Sequence, residues 1–171
     1  LSADSTEFIS QLRHRLQNDP LWEFALQFYA QPGIEQACLQ LQDNHGWDVC
    51  ELLWRCWLYR HAIRAGDFPT EARDWQREVT YPLRSLRRQL KAAARACEGV
   101  ASVRLRISEA ELAAERETLH ILMKISLDGN GLEPLSRPLP RLEKVLYTEG
   151  EIQEKSQVGT VRHIESQLDP L

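Results

Sequence analysis

The sequence predicts an all-α protein, a single-domain bundle of five or six helices with a less regular C-terminal segment. Three observations carry that expectation. Apolar residues recur at three- and four-residue spacing in successive segments. Capping and breaking residues bracket those segments. The one run with strand-like alternation, Val103-Arg104-Leu105-Arg106-Ile107, stands alone.

In residues 5–18, Phe8, Ile9, Leu12 and Leu16 mark the first amphipathic helix. Asp19-Pro20 then reads as an N-cap followed by a proline at the first helical position. The second helix, to about Ala30, is apolar around most of its girth, and Gln31-Pro32-Gly33 stops it. A short third helix follows to about Gln42, with Ile34, Ala37, Cys38 and Leu41 on one face. Gly46 suits a left-handed C-cap, and Asp48 with Glu51 resembles a capping box. The fourth helix, about 48–65, carries two apolar faces and is the expected centre of the bundle.

Thr70 is expected to cap a fifth helix running to about Glu98, bent at Pro82 and closed by Gly99. Ser108 and Glu111 form a second capping box, predicting a sixth helix to about Leu127. Residues 1–128 are the predicted bundle domain. Residues 129–171 are a loop with short helices, at about 141–148 and 151–168, either packed on the bundle or partly disordered.

The chain has 171 residues, 43% of them apolar and 27% charged. That excludes collagen-like and low-complexity classes and argues against wholesale disorder. No uninterrupted apolar stretch reaches 18 residues, so no membrane span is expected. The first seven residues lack a basic region and an apolar core, so no secretory signal is expected. Cys38, Cys50, Cys56 and Cys97 form no C-x-x-C pair, which points to buried thiols in a reducing cytoplasm. No dinucleotide, P-loop, serine-hydrolase or zinc-protease motif occurs, and no cofactor or metal is implied.

The first hundred residues resemble a group of short proteobacterial proteins known only as a conserved domain of unknown function. The resemblance covers about residues 20–91. It rests on Leu21-Trp22-Glu23-Phe24-Ala25-Leu26 and on the run from Tyr29-Ala30-Gln31-Pro32-Gly33 to Leu41-Gln42-Asp43. It continues through Gly46-Trp47-Asp48-Val49-Cys50-Glu51-Leu52-Leu53, Trp57-Leu58, Trp75-Gln76-Arg77-Glu78-Val79 and Pro82-Leu83-Arg84-Ser85-Leu86-Arg87-Arg88. It implies a small, soluble, mostly helical bacterial protein and supplies no reaction, cofactor or partner. The family pattern often has Asn where this chain has Cys50, so no polar role carries over to that position.

Two constellations are candidates for chemistry. On an unbroken helical wheel, Trp75, Val79, Leu83, Leu86, Leu90, Ala93 and Cys97 share one arc. Arg73, Arg77, Arg84, Arg88, Lys91 and Arg95 fall opposite, with Arg87 at the border. Residues 73–108 hold nine basic and three acidic side chains, a balance of +6 inside a chain of net charge −4. Such a stripe is a solvated outer face, a set of intramolecular ion pairs, or a surface for an acidic or anionic partner. As a binding surface it favours an acidic protein over RNA, because no zinc-finger, helix-turn-helix or aromatic RNA motif accompanies it. Trp47, on a turn, is the aromatic expected to join it. Self-association stays open.

The second constellation is Asp43, His45 and Asp48. Two carboxylates and an imidazole within six residues suit acid–base or divalent-metal chemistry, the rival, enzymatic reading. The structural roles compete: Asp48 as a cap, His45 in a turn, and Asp43 at a helix C-terminus, where it is expected to find a cation such as Arg84 or Arg88. The expected function is a non-enzymatic interaction or regulatory protein using the Arg face.

Overall fold

Helical periodicity dominates the observed structure as the sequence requires. The computed structural model describes residues 3–146 and 155–169. Its helices are α1 (Ala3–Asn18), α2 (Leu21–Tyr29), α3 (Ile34–His45), α4 (Val49–Arg60), α5 (Thr70–Trp75), α6 (Tyr81–Gln89), α7 (Lys91–Ala96), α8 (Glu98–Asp128), α9 (Leu142–Leu146) and α10 (Lys155–Ser166). A π turn, Gln76–Thr80, joins α5 to α6. Two short strands, β1 (Ile63–Ala65) and β2 (Leu132–Pro134), make a small antiparallel ribbon. The expected all-α class is observed. No helix among the described residues is long and apolar enough to cross a membrane. Of the two C-terminal helices expected, residues 147–148 and 151–154 lie outside the described residues.

The chain forms two compact units. One comprises residues up to Asp67 together with those from Met123 onward; the other is Phe68–Leu122. In the first unit α4 is central. It packs against α2, α3, α9 and β1, while α10 packs on α3 and α9. Leu12, Leu16, Leu21, Ile34, Leu41, Trp54, Trp57, Leu58, Ile63, Leu142 and Ile164 are almost fully withdrawn from water. Each such side chain contributes roughly 1.5–3 kcal/mol of apolar transfer. The buried indoles still find acceptors. The Trp54 N–H donates to Ser126 Oγ at 2.9 Å and the Trp57 N–H to the Asp19 carbonyl at 2.7 Å.

The turn before α4 forms as expected. Gly46 takes the left-handed conformation at φ 70°, and the Asp48 carboxylate accepts the Glu51 backbone N–H at 2.8 Å. The Glu51 side chain pairs with Arg55 at 2.8 Å, so only half of the predicted capping box is used.

Several expected boundaries are corrected. Helix α4 stops at Arg60, not near residue 65. The chain turns through Ala62 at φ 58°, and Ile63–Ala65 pairs with Leu132–Pro134, register Arg64↔Glu133. Gly99 does not close a helix. The break falls at Cys97, which is extended (φ −140°, ψ 115°), and Gly99 lies inside the first turn of α8. Ser108 opens nothing, because α8 runs straight through it and through Val103–Ile107. Val103 and Leu105 are more than half exposed there, so the segment keeps the continuous backbone ladder of α8 without being buried. The thiols also divide: Cys38, Cys50 and Cys56 are buried and Cys97 is exposed.

Burial pushes the Cys38 thiol up to about 12 and raises Cys56 as well. The attacking species is the thiolate, so these groups are doubly protected. A maleimide pulse on the native protein is therefore expected to label Cys97 first and the other three only on unfolding. Peptide mass spectrometry checks this; rapid native labelling of Cys56 would contradict it.

Candidate functional site

The basic stripe lies wholly in the Phe68–Leu122 unit, and the π turn decides how it is presented. Pro82 has no N–H to give the Glu78 carbonyl and crowds it, so an α-helical ladder cannot continue there. The Tyr81 N–H instead bonds the Gln76 carbonyl, five residues back. That inserts one residue and turns every downstream side chain by about 100° relative to an unbroken helix. The predicted wheel is corrected accordingly. Arg84 and Arg87 turn toward α8, while Leu86, which the wheel placed in the apolar arc, is exposed.

Glu111 receives both arginines. Arg84 Nε donates to its Oε1 at 2.9 Å, and Arg87 Nε donates to its Oε2. Arg84 Nη2 also reaches Glu115, one helical turn on, at 2.6 Å. Glu111 is only 4% exposed. Burial alone would raise its carboxyl, but the hydrogen bonds and charges of Arg87 and Arg84 outweigh burial and hold it below its ordinary value. Trp75 adds a neutral tie from its indole N–H to the Ala114 carbonyl at 2.9 Å. Arg84 is thus committed to Glu111 and Glu115 rather than to Asp43.

The other predicted cations divide further. Arg73 donates to the Phe68 carbonyl at 3.2 Å. Arg77 is exposed and pairs with Asp74 at 2.7 Å and Glu78 at 3.0 Å. Arg88 is exposed. Lys91 and Arg95 line a cavity of about 280 Å³ at the α7–α8 corner, together with Ala94, Ala101 and Arg104. Arg104 was not among the sequence candidates. Its Nε donates to the Arg87 carbonyl at 3.2 Å, which holds the guanidinium in place. Among the described residues no carboxylate lines this cavity.

The Asp43, His45 and Asp48 set and Trp47 belong to the first unit. Asp43 is exposed, Asp48 caps α4, and His45 Nδ1 lies 3.0 Å from Gln157 Nε2 on α10. Trp47 is half-buried, its backbone N–H bonded to the Leu41 carbonyl at 3.2 Å. Among the described residues no group of three or more His, Cys, Asp or Glu is placed to hold a metal ion.

The same unit holds a buried polar pair that sequence spacing did not reveal. His61, 1% exposed, meets Asp19 Oδ2 through Nε2 at 2.9 Å. The carboxylate can only accept, so Nε2 carries the proton. Nδ1 is then a buried lone pair with no partner among the described residues. Protonating Nδ1 would bury a new donor with nothing to receive it. Burial is the largest influence and lowers the His61 pKa, Asp19 opposes it, and Arg15 and Arg60 add to the lowering. The unfolded chain therefore takes up the proton first. Stability from this group is complete above the ordinary histidine value of 6.5 and is lost as pH falls from there toward the folded value. Urea titrations between about pH 5 and 8 are expected to show that slope in the wild type and a weaker one in His61→Gln. Equal slopes would contradict the assignment.

No curated protein and no solved structure matches the chain. A family model described as a protein of unknown function, DUF2390, matches residues 20–122, beyond the segment whose motifs carry the resemblance. That span exceeds half of the chain, and the chain belongs to this family.

Proposed function

We propose that this chain is a non-enzymatic interaction or regulatory protein that binds an acidic protein partner through the basic surface of its Phe68–Leu122 unit. The observation that carries the reading is the α7–α8 cavity: three cations, Lys91, Arg95 and Arg104, line it, with no carboxylate among the described lining residues. The acidic side chains of α8 that meet arginines of α6, Glu111 and Glu115, neutralise Arg84 and Arg87 instead. The stripe therefore does two jobs. Its α6 part ties the fold, and its α7 part, with Arg104, faces outward.

A protein partner is favoured over RNA by the neighbouring apolar surface. Leu105 and Leu112 are 58% and 57% exposed, and seven residues apart they share one side of α8. Protein interfaces combine an apolar centre with a charged rim, and arginine is enriched in them.

Fluorescence anisotropy with labelled poly-L-glutamate tests the reading. Binding is expected in low salt, weakening as salt rises through the range where the Debye length falls below about 10 Å. The Lys91→Gln/Arg95→Gln/Arg104→Gln variant is expected to bind at least about tenfold more weakly. Equal binding by this variant, or tighter binding of single-stranded RNA than of polyglutamate, would overturn the proposal.

A further inference from the structure

We infer that the α7–α8 cavity takes a phosphoryl group, not merely a carboxylate, which deepens the reading of this surface as an acidic-partner site and rests on it. Three features lead there. The first is charge density. Lys91, Arg95 and Arg104 bring three positive charges to a cavity of about 280 Å³ whose other lining residues are Ala94 and Ala101. One carboxylate would leave two of those charges without a counterion, whereas a phosphate monoester carries nearly two negative charges at neutral pH.

The second feature is donor type. Two of the three cations are guanidiniums, whose planar forks match phosphate oxygens in pairs, and the third is a compact ammonium that suits a point charge. Arg104 is already anchored, since its Nε is spent on the Arg87 carbonyl and its terminal nitrogens keep their donors. A fork fixed before the ligand arrives loses less freedom on binding. The third is space. Ala94 and Ala101 end at Cβ, so the cavity is left open by its own lining. Ala101 stands in the first turn of α8, where the helix dipole presents its positive end. The acidic residue of that turn, Glu98, is exposed and not part of the lining.

The same chemistry could arrive as a free phosphate compound or as a phosphorylated side chain of the partner, and the experiment separates the two. Amide chemical shifts of the full chain are followed during titration with inorganic phosphate. Affinities are measured in parallel for an acidic peptide carrying one phosphoserine and for the same peptide unphosphorylated. Saturable phosphate shifts at residues 91–104, without a gain from peptide phosphorylation, support a free compound. An affinity gain of about tenfold or more on phosphorylation supports a group carried by the partner. Both effects are expected to be lost in Arg104→Gln and weakened in Lys91→Gln, an exposed position whose substitution leaves the fold intact. Failure of both arms while polyglutamate still binds overturns this inference and leaves the acidic-partner reading standing. Phosphate binding without polyglutamate binding does the reverse. Binding undiminished in both variants overturns the cavity assignment.

Discussion

Replacing Glu111 by Gln is expected to destabilise the Phe68–Leu122 unit by about 3 kcal/mol, because a buried charge network loses its centre. Helix α6 contributes no fully buried side chain, so its hold on α8 rests heavily on Arg84 and Arg87 meeting Glu111. Removing the carboxylate leaves two adjacent guanidiniums with only Glu115 beside Arg84. An uncompensated, partly buried charge costs more than the intact pair contributes. Hydrogen exchange is expected to quicken across residues 81–96 before it does elsewhere. The wild type also predicts the pH dependence. The folded Glu111 pKa lies below its ordinary value of 4.5, so its contribution is present above that value and is lost as pH falls through the folded one. The Gln variant is expected to lack this acid-side loss. Unchanged exchange at residues 81–96 would contradict the role given to the network.

Trp57→Ala is expected to cost about 4 kcal/mol and to threaten folding of the other unit. The residue is fully buried on the central helix, stands edge-on to His61 with ring centroids 5.7 Å apart, and donates its indole N–H to the Asp19 carbonyl. Truncation opens a cavity and orphans that carbonyl at once. Trp57→Phe keeps most of the apolar volume and loses mainly the hydrogen bond, so a cost of about 1–3 kcal/mol is expected. Urea midpoints for the two variants separate the packing contribution from the polar one. A Trp57→Phe midpoint equal to that of the wild type would show that the Asp19 contact contributes little, and equal midpoints for the two variants would show the same of the packing.

Much of this architecture was legible because local chemistry and tertiary packing agree. Gly46 and Asp48 form the cap their residue types predict, and the spaced apolar positions Leu12 and Leu16 of α1, Ile34, Ala37, Cys38 and Leu41 of α3, and Leu52, Leu53, Cys56 and Trp57 of α4 are buried. The errors occur where a distant partner decides. The β1–β2 ribbon is three residues per strand and joins positions about seventy apart, too short for period and too far for turn logic. His61 and Asp19 meet across 42 residues for the same reason. The second capping box does not form because α8 is continuous through Ser108 and leaves no helix start to cap; Glu111 instead meets two arginines of another helix.

The stripe itself was visible from charge and spacing, but its division was not. An unbroken wheel assumes an unbroken ladder. The π turn before Pro82 displaces the pattern by one residue and sends Arg84 and Arg87 inward. A proline inside a helical pattern predicts a bend, whereas the larger effect of Pro82 is this change of phase. Gly99 and Ser108 suggest a break between helices, whereas α8 runs on from Glu98 and brings Arg104 to Lys91 and Arg95.

In the proposed function, α7 and the start of α8 receive the acidic ligand while Arg84 and Arg87 hold the fold. An amide chemical-shift map of the full chain with saturating polyglutamate tests it most directly. The largest shifts are expected at residues 91–104. Shifts centred on the 43–48 turn, or none at 91–104, would contradict it.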